Sequence, residues 1–169
     1  MSLLAGVEVS PLNLENADQA RRWLALLDHY ARDPMGGGSG LSAYAKANLV
    51  SELSKLPTFH GALAWLEGEA VGLINCFAGF STFAARPLLN IHDIVTHADW
   101  RGRGVGQALL SWAEKRAGEI GCCKLTLEVL SNNGVALASY QRAGFAPYVL
   151  DPQAGHALFL QKYLQESSA

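Results

Sequence analysis

The sequence has little charge and few cysteines. Only 17% of its 169 residues are charged, with 13 Lys and Arg against 15 Asp and Glu, and the formal net charge is -2. Proteins that bind nucleic acid use an excess of Lys and Arg at phosphates, so nucleic acid is not an expected partner. Half of the residues are hydrophobic, which is enough for a sizeable core. The length favours a single domain over residues 1–169.

Long apolar runs and metal-ligand patterns are also missing. No run approaches the ~20 residues that a membrane-spanning helix needs, and the start of the chain does not resemble a signal peptide. We therefore expect a cytoplasmic protein without a membrane partner. The three cysteines, Cys76, Cys122 and Cys123, show no C-x-x-C spacing, and the histidines have no metal-ligand spacing. Neither a disulfide framework nor a metal site is expected.

Hydrophobic periodicity predicts a mixed α/β fold. In chain order, the predicted elements are helices 16–32 and 42–56, strands 59–66, 70–80 and 88–97, helix 105–120, strand 123–130, helix 135–142, and closing strands 145–150 and 157–163. Two helices thus precede the sheet, and Ser42 is a candidate N-cap. The hairpin 59–80 makes the sheet mixed, while strand, helix and strand between 88 and 130 form a parallel unit.

A glycine-rich turn lies between a predicted strand and a predicted helix. Its residues, Arg101 to Gly106, read RGRGVG. Glycines leave backbone N–H groups accessible, and a helix N-terminus adds partial positive charge, so the turn is suited to a phosphate or diphosphate. The same glycines would also suit a merely tight turn. A Walker A loop is absent, and a dinucleotide-binding fingerprint fails because Gln107 replaces its last glycine, which disfavours a Rossmann-like nucleotide binder.

A second motif follows the next strand. It reads N-x-x-A-x-x-x-Y-x-x-x-G-F, formed by Asn133, Ala136, Tyr140, Gly144 and Phe145. Together with VTHADWRGRGVGQALL it resembles the GNAT superfamily of acyl-CoA-dependent N-acetyltransferases. The resemblance implies a central mixed, mostly antiparallel sheet with a splayed parallel strand pair, and helices on both faces. It also implies acetyl-CoA as the cofactor.

The same resemblance implies the coenzyme contacts. Backbone amides of the turn would hold the diphosphate, Arg101 fills the family's Arg or Gln position, and the pantetheine arm would pair with the strand that holds Ile94 and Val95. The implied diphosphate contacts are Gly102, Arg103, Gly104, Val105, Gly106 and Gln107. Asn133 matches a side-chain contact to the coenzyme. Asn132 is a candidate helix N-cap beside it, and the two roles are interchangeable at this level.

Tyr140 matches the phenol that family members place near the thioester sulfur, where it can protonate the leaving thiolate. The attacking amine must lose a proton, and the candidate bases are Glu128, His92, Asp93 or a water chain. Glu128 lies in an LEV sequence similar to that of some protein N-terminal acetyltransferases. FSTFAARPLLNIHDIV resembles the diamine and polyamine branch, with His92 replacing a glutamate. Strand alternation places His92 and Asp93 on opposite faces unless a bulge intervenes.

The predicted function is acetyl transfer from acetyl-CoA to a primary amine of a small molecule, by direct attack through a tetrahedral intermediate. A protein N-terminal or lysine acetyltransferase and a non-catalytic coenzyme A sensor are the alternatives. The loop 33–40 falls where family members border the acceptor site, or it is only a connector. The resemblance also favours a homodimer.

Overall fold

A five-stranded sheet forms the centre of the fold, and the helices pack against its two faces. The computed structural model describes residues 6–164. The strands are β1 (Glu8–Pro11), β2 (Phe59–Leu66), β3 (Glu69–Ser81), β4 (Arg86–Thr96) and β5 (Leu125–Leu127), paired in that order. All neighbours are antiparallel except β4 and β5, which are parallel. This arrangement confirms the predicted mixed, mostly antiparallel sheet.

Four α-helices cover the sheet. They are α1 (Ala17–Arg32), α2 (Ala43–Leu53), α3 (Val105–Glu119) and α4 (Gly134–Arg142). Side-chain caps explain two of the starts, because Asn16 accepts hydrogen bonds from Asp18 and Gln19, and Ser42 accepts one from the Ala45 amide. Among the helices of residues 6–164, none has the length and apolar character that crossing a bilayer requires.

The core has two parts, one on each face of the sheet. On one face α1 and α2 pack through Trp23, Leu27 and Leu53 against buried Leu63, Leu73 and Val95. On the other face α3 packs through Val105, Leu109 and Ala113 against buried Ile74 and Ile91. Helices therefore lie on both faces, as predicted.

Several predicted boundaries are wrong. The sheet has an additional strand, β1, before the first helix, formed by four residues, EVSP, that pair with β2. Four residues are too few to show an alternating hydrophobic pattern, so the sequence did not predict this strand. The second helix ends at Leu53 rather than near Leu56. The strand predicted over 123–130 is reduced to Leu125–Leu127, because only three of its residues pair with β4.

The closing strands predicted over 145–150 and 157–163 are also wrong. Apart from a short 3-10 turn at Pro152–Ala154, this segment is irregular and pairs with no strand of the described chain. Its apolar side chains are largely exposed, for example Leu150 and Phe159. An alternating pattern produces a strand only where a neighbouring edge can accept its hydrogen bonds, and β5 presents three residues.

Gly72 on β3 allows α3 to lie close to the sheet. A Cβ at this position would come within 2.7 Å of both Val105 Cγ1 and the Val95 carbonyl oxygen. The carbonyl belongs to a paired strand and cannot move aside without breaking the ladder. A methyl group at residue 72 therefore forces α3 or β4 out of position.

We expect Gly72→Ala to lower the free energy of unfolding by about 1–3 kcal/mol, because the core is overpacked. The matched control is Gly79→Ala on the same strand, where the nearest atom would be 3.4 Å away, at ordinary contact distance. Urea unfolding of both variants measures the difference. Equal stability of the two would refute the close-approach argument.

Candidate active site

The turn between β4 and α3 presents a row of backbone amides without protein acceptors. Gly102 and Gly104 have φ of 75° and 81°, and Gly104 is the N-cap of α3, with no side-chain cap hydrogen bond. The first amide after Arg101 that has a protein acceptor is that of Ala108, which donates to the Gly104 carbonyl oxygen at 3.0 Å. Within residues 6–164 no acceptor takes a hydrogen bond from the amides of residues 102–107. These amides and the helix dipole can receive an anion.

The two arginines of this turn are engaged elsewhere. The Arg101 guanidinium lies 3.1 Å from the Asp33 carboxylate at the end of α1, and the Arg103 guanidinium stacks 4.7 Å over the Trp100 ring. Gln107 donates to the Ser139 carbonyl at 3.0 Å and to its hydroxyl at 2.8 Å. The arginine contacts shape the turn, and the Gln107 amide ties the start of α3 to α4.

Asn133 takes the capping role that the sequence left open between Asn132 and Asn133. Its side-chain oxygen accepts a hydrogen bond from the Ala136 amide at 3.2 Å and begins α4. Asn132 is exposed. The Asn133 amide group still has its two N–H donors for a ligand at the start of α4.

A bulge in β4 changes the orientation of its side chains. Ile91 pairs with Cys76 and Asp93 pairs with Asn75, so His92 is an extra residue between two successive pairs. Strict alternation would place His92 and Asp93 on opposite faces. Because of the bulge, both side chains line one cavity on the α1 face of the sheet.

Beyond the bulge β4 continues alone on its β5 side. The last parallel pair joins Ile91 to Leu127, whereas β4 runs on to Thr96. The His97 amide donates to Val71 on β3, so by alternation the backbone of Val95 also faces β3. The backbone of Ile94 faces the opposite edge, where β5 has ended. Ile94, rather than Val95, can pair with an extended ligand there.

The cavity has a volume of about 340 Å³ and is walled by α1, α2, β3 and β4. Its apolar wall includes Leu27, Leu41, Leu49 and Phe77. The loop 33–41 closes one side and is bonded back to α1: Gly38 and Gly40 donate to the Ala31 carbonyl, and Leu41 donates to Asp28. Gly36 of this loop lines the cavity, so the loop is more than a connector.

Asp93 is the carboxylate of this cavity, and a buried relay holds it in place. The indole N–H of Trp23 donates to the Asn75 side-chain oxygen at 2.8 Å, and the Asn75 amide donates to Asp93 Oδ2 at 3.0 Å. Trp23 is 0% exposed and Asn75 is 2% exposed. Because an indole can only donate, the Asn75 oxygen must face Trp23 and its NH₂ group must face Asp93.

Two tyrosines lie in or near this cavity: Tyr30 lines it, and Tyr140 lies near Tyr30. Burial raises the pKa of Tyr140 on α4, with a smaller contribution from nearby Tyr30. Burial also raises the pKa of Tyr30, and the Asp93 charge adds to the effect. Both phenols therefore keep their protons at neutral pH. Tyr30 was missed by the sequence analysis, and its position in the last turn of α1, before the glycine loop, was the available signal.

Glu128 lies apart from this arrangement. It follows the last residue of β5, is exposed, and does not belong to the cavity wall. Cys76, the buried thiol behind Asp93, has its pKa raised to about 12 by burial, so it is not a nucleophile at neutral pH. Over residues 6–164 no group of three His, Cys, Asp or Glu side chains could hold a metal ion.

Two stacked histidines contact the segment that leads into the glycine turn. The rings of His29 on α1 and His97 after β4 are parallel within 15°, with centroids 4.2 Å apart. Each accepts a backbone hydrogen bond at 3.3 Å, His29 Nε2 from Ala98 and His97 Nδ1 from Asp99. Burial, the neighbouring His97 and Arg101 lower the pKa of His29. The folded state therefore favours the neutral form of His29.

This stack predicts loss of stability in acid. The unfolded chain protonates His29 below its ordinary pKa of 6.5, while the folded chain resists protonation, so the unfolded state binds more protons and stability falls as pH drops below 6.5. We expect His29→Gln to reduce the decrease in melting temperature between pH 7.5 and pH 5.5. His156→Gln, an exposed position, is the control. An undiminished decrease in His29→Gln would contradict the assignment.

Comparison with known proteins gives a consistent result. Residues 23–145 match the model of the acetyltransferase (GNAT) family. Streptothricin acetyltransferase of Streptomyces lavendulae is 35% identical over 102 residues, which cover 54% of this chain and 54% of that protein. The chain spans about half the length of the curated relatives that it matches.

Solved structures share the fold at low identity. A transcriptional regulator from Bacillus halodurans C-125 superimposes with a TM-score of 0.75 at 22% identity, over 93% of this chain and 99% of that one. AAC(6')-Iy, in complex with the bisubstrate analogue CoA-S-monomethyl-acetylneamine, superimposes with a TM-score of 0.71 at 16% identity, over 95% of this chain and 100% of that one. At these identities the likeness establishes the fold alone.

Proposed function

The chain belongs to the acetyltransferase (GNAT) family, and from that membership we propose that it transfers the acetyl group of acetyl-CoA to the primary amine of a small molecule. The observation that carries the proposal is the glycine turn, whose amides at residues 102–107 have no acceptor in the described chain. The turn lies at the end of the sheet where β4 has parted from β5. The family match over residues 23–145 supports one catalytic domain.

The cofactor fits the residues present. The diphosphate would lie on the turn amides, and the Asn133 side chain would contact the coenzyme from the start of α4. The pantetheine arm would run along the free edge of β4 and pair with the Ile94 backbone. Acetyl-CoA supplies an activated thioester carbonyl. The Ile94 amide is the donor best placed to stabilise negative charge on that oxygen.

In the proposed reaction the amine nitrogen attacks the acetyl carbonyl carbon and forms a C–N bond in a tetrahedral intermediate. The C–S bond then breaks, and Tyr140 protonates the departing sulfur. The amine must also lose a proton, and we assign its uptake to His92, because imidazole is suited to proton transfer at neutral pH and this side chain lines the cavity. Asp93 holds the amine. Glu128 is the weaker candidate because it lies outside the cavity wall.

Other activities remain alternatives. A protein N-terminus or lysine would have to enter a half-open cavity of about 340 Å³ bordered by α1, α2 and the loop 33–41. A coenzyme sensor would bind the cofactor but release no thiol in the presence of amines. Localisation in the cytoplasm and assembly as a homodimer stay predictions.

The coenzyme site can be tested at Gly106, the second residue of α3. A Cβ there meets no atom within 4 Å, and an acidic side chain at a helix N-terminus is favourable, so Gly106→Asp should fold normally. Its carboxylate would repel the diphosphate. We expect calorimetry to show micromolar acetyl-CoA binding by the wild type and affinity at least about tenfold weaker in the variant.

Gly118→Asp is the matched control, because this position is equally open and lies at the far end of the same helix. It makes the same change in net charge and should leave acetyl-CoA affinity unchanged. Equal weakening in both variants, or no binding by the wild type, would overturn the proposed site.

The acid role of Tyr140 is tested by Tyr140→Phe. The ring keeps its packing against Phe145, whose centroid is 6.1 Å away, but the proton donor is lost. We expect kcat to fall by about 100-fold with acetyl-CoA affinity nearly unchanged. Thiol release and calorimetry measure the two quantities. An unchanged kcat would remove Tyr140 from the mechanism.

A further inference from the structure

The acceptor cavity contains little charge. Of its lining residues only Asp93 is a carboxylate, and within the described chain no lysine or arginine contributes to the wall. Asp33, which also lies close to Tyr30, is paired with Arg101 at 3.1 Å. One ligand cation can therefore be neutralised in the cavity by Asp93, and a second cation would have no opposite charge to meet.

The remaining wall is mostly apolar and aromatic, and its other polar side chains are those of His92, Asn75 and Tyr30. Leu27, Leu41, Leu49, Leu53 and Phe77 surround the space beside Asp93. The volume of about 340 Å³ lies at the lower end of the range of roughly 300–1,000 Å³ common for ligand pockets. A ligand that fills this space must be small and must present a hydrocarbon surface.

A hydrogen bond from Asn75 fixes the orientation of the Asp93 carboxylate in the cavity. Asn75 occupies Oδ2 at 3.0 Å, and Trp23 fixes Asn75 from behind, so the carboxylate cannot turn away into the core. Oδ1 is left for a ligand N–H. Asp93 therefore sets the depth at which an amine rests, and the hydrogen bond from Asn75 holds Asp93 in that orientation.

We propose that the acceptor is a primary monoamine on a compact apolar or aromatic body, with neither a carboxylate nor a second cation. The proposal rests on the proposed acetyl transfer and names its substrate class. An α-amino acid would place its carboxylate beside Asp93 and suffer like-charge repulsion. A diamine or polyamine would bury its second ammonium group against leucines without a partner.

Three amines test this assignment, with thiol release as the readout and mass spectrometry of the product. They are 2-phenylethylamine, phenylalanine, which adds a carboxylate to the same body, and 1,4-diaminobutane, which replaces the aromatic ring with an alkyl chain that ends in a second cation. We expect kcat/KM for 2-phenylethylamine to exceed that for each of the others by at least about 30-fold. Equal or better turnover of phenylalanine or the diamine would overturn the proposal.

Asp93→Asn separates a charge effect from a merely structural one. With the charge removed, the KM for 2-phenylethylamine should rise at least about tenfold, and its advantage over phenylalanine should fall below about tenfold. A structural defect would reduce turnover of both amines and keep their ratio. A preserved ratio would show that Asp93 does not select the acceptor.

A second variant tests the wall. Leu49 is half-buried on α2, and Leu49→Glu would place another carboxylate in the cavity. We expect the preference to move toward 1,4-diaminobutane by at least about tenfold. Leu49→Met is the control that keeps the wall apolar and should retain the wild-type order of amines. An unaltered order in Leu49→Glu would count against the cavity as the acceptor site.

The two proposals fail in different ways. If acetyl-CoA binds and no amine releases thiol, the proposed transfer is wrong. The cavity assignment is then decided by calorimetric titration of the same three amines into the protein saturated with coenzyme A. Preferential binding of 2-phenylethylamine supports the assignment, and equal or absent binding of all three overturns it.

Discussion

β4 pairs with β3 along nearly its whole length but with β5 over only three residues, and the site depends on this difference. Past Ile91 the β5 side of β4 has no neighbour in the described sheet. The bulge at His92 occurs at the same point, and it turns His92 and Asp93 toward one cavity. A regular, fully paired β4 would offer neither a free edge nor this pair of side chains. Two features at the same point of β4, the end of its pairing with β5 and the bulge, thus create the free edge and the pair of cavity side chains.

The proposed coenzyme side of the site is made mainly of backbone. A formal net charge of -2 gives no general attraction for a polyanionic cofactor, and the two arginines of the turn are engaged with Asp33 and Trp100. Amides at the start of α3 supply partial positive charge without long side chains that must be ordered. Gly72 contributes by letting α3 approach the sheet, which sets the position of those amides relative to β4.

Local signals in the sequence made the glycine turn and several helix starts predictable. Glycines between a strand and a helix mark the turn, and caps such as Asn16 and Ser42 mark helix starts. The bulge at His92 has no such signal, because it results from the register with β3, in which Asp93 pairs with Asn75, 18 residues away. The prediction of closing strands over 145–150 and 157–163 was wrong for the same reason. Their alternation was present, but a pattern within a segment does not specify a partner edge.

The acceptor side differs because it is assembled from distant segments. Trp23 and Asn75 are 52 residues apart, and Asn75 and Asp93 are 18 apart, yet the three form one hydrogen-bonded relay. No short motif can encode such a relay, whereas a six-residue turn can encode an anion site. A shared fold at 16–22% identity therefore preserves the framework, while the side chains that line the cavity can change one at a time. For the proposed acceptor site, substrate class must be argued from the polar groups that line the cavity, and here the one carboxylate, Asp93, lies beside His92 in a mostly apolar wall.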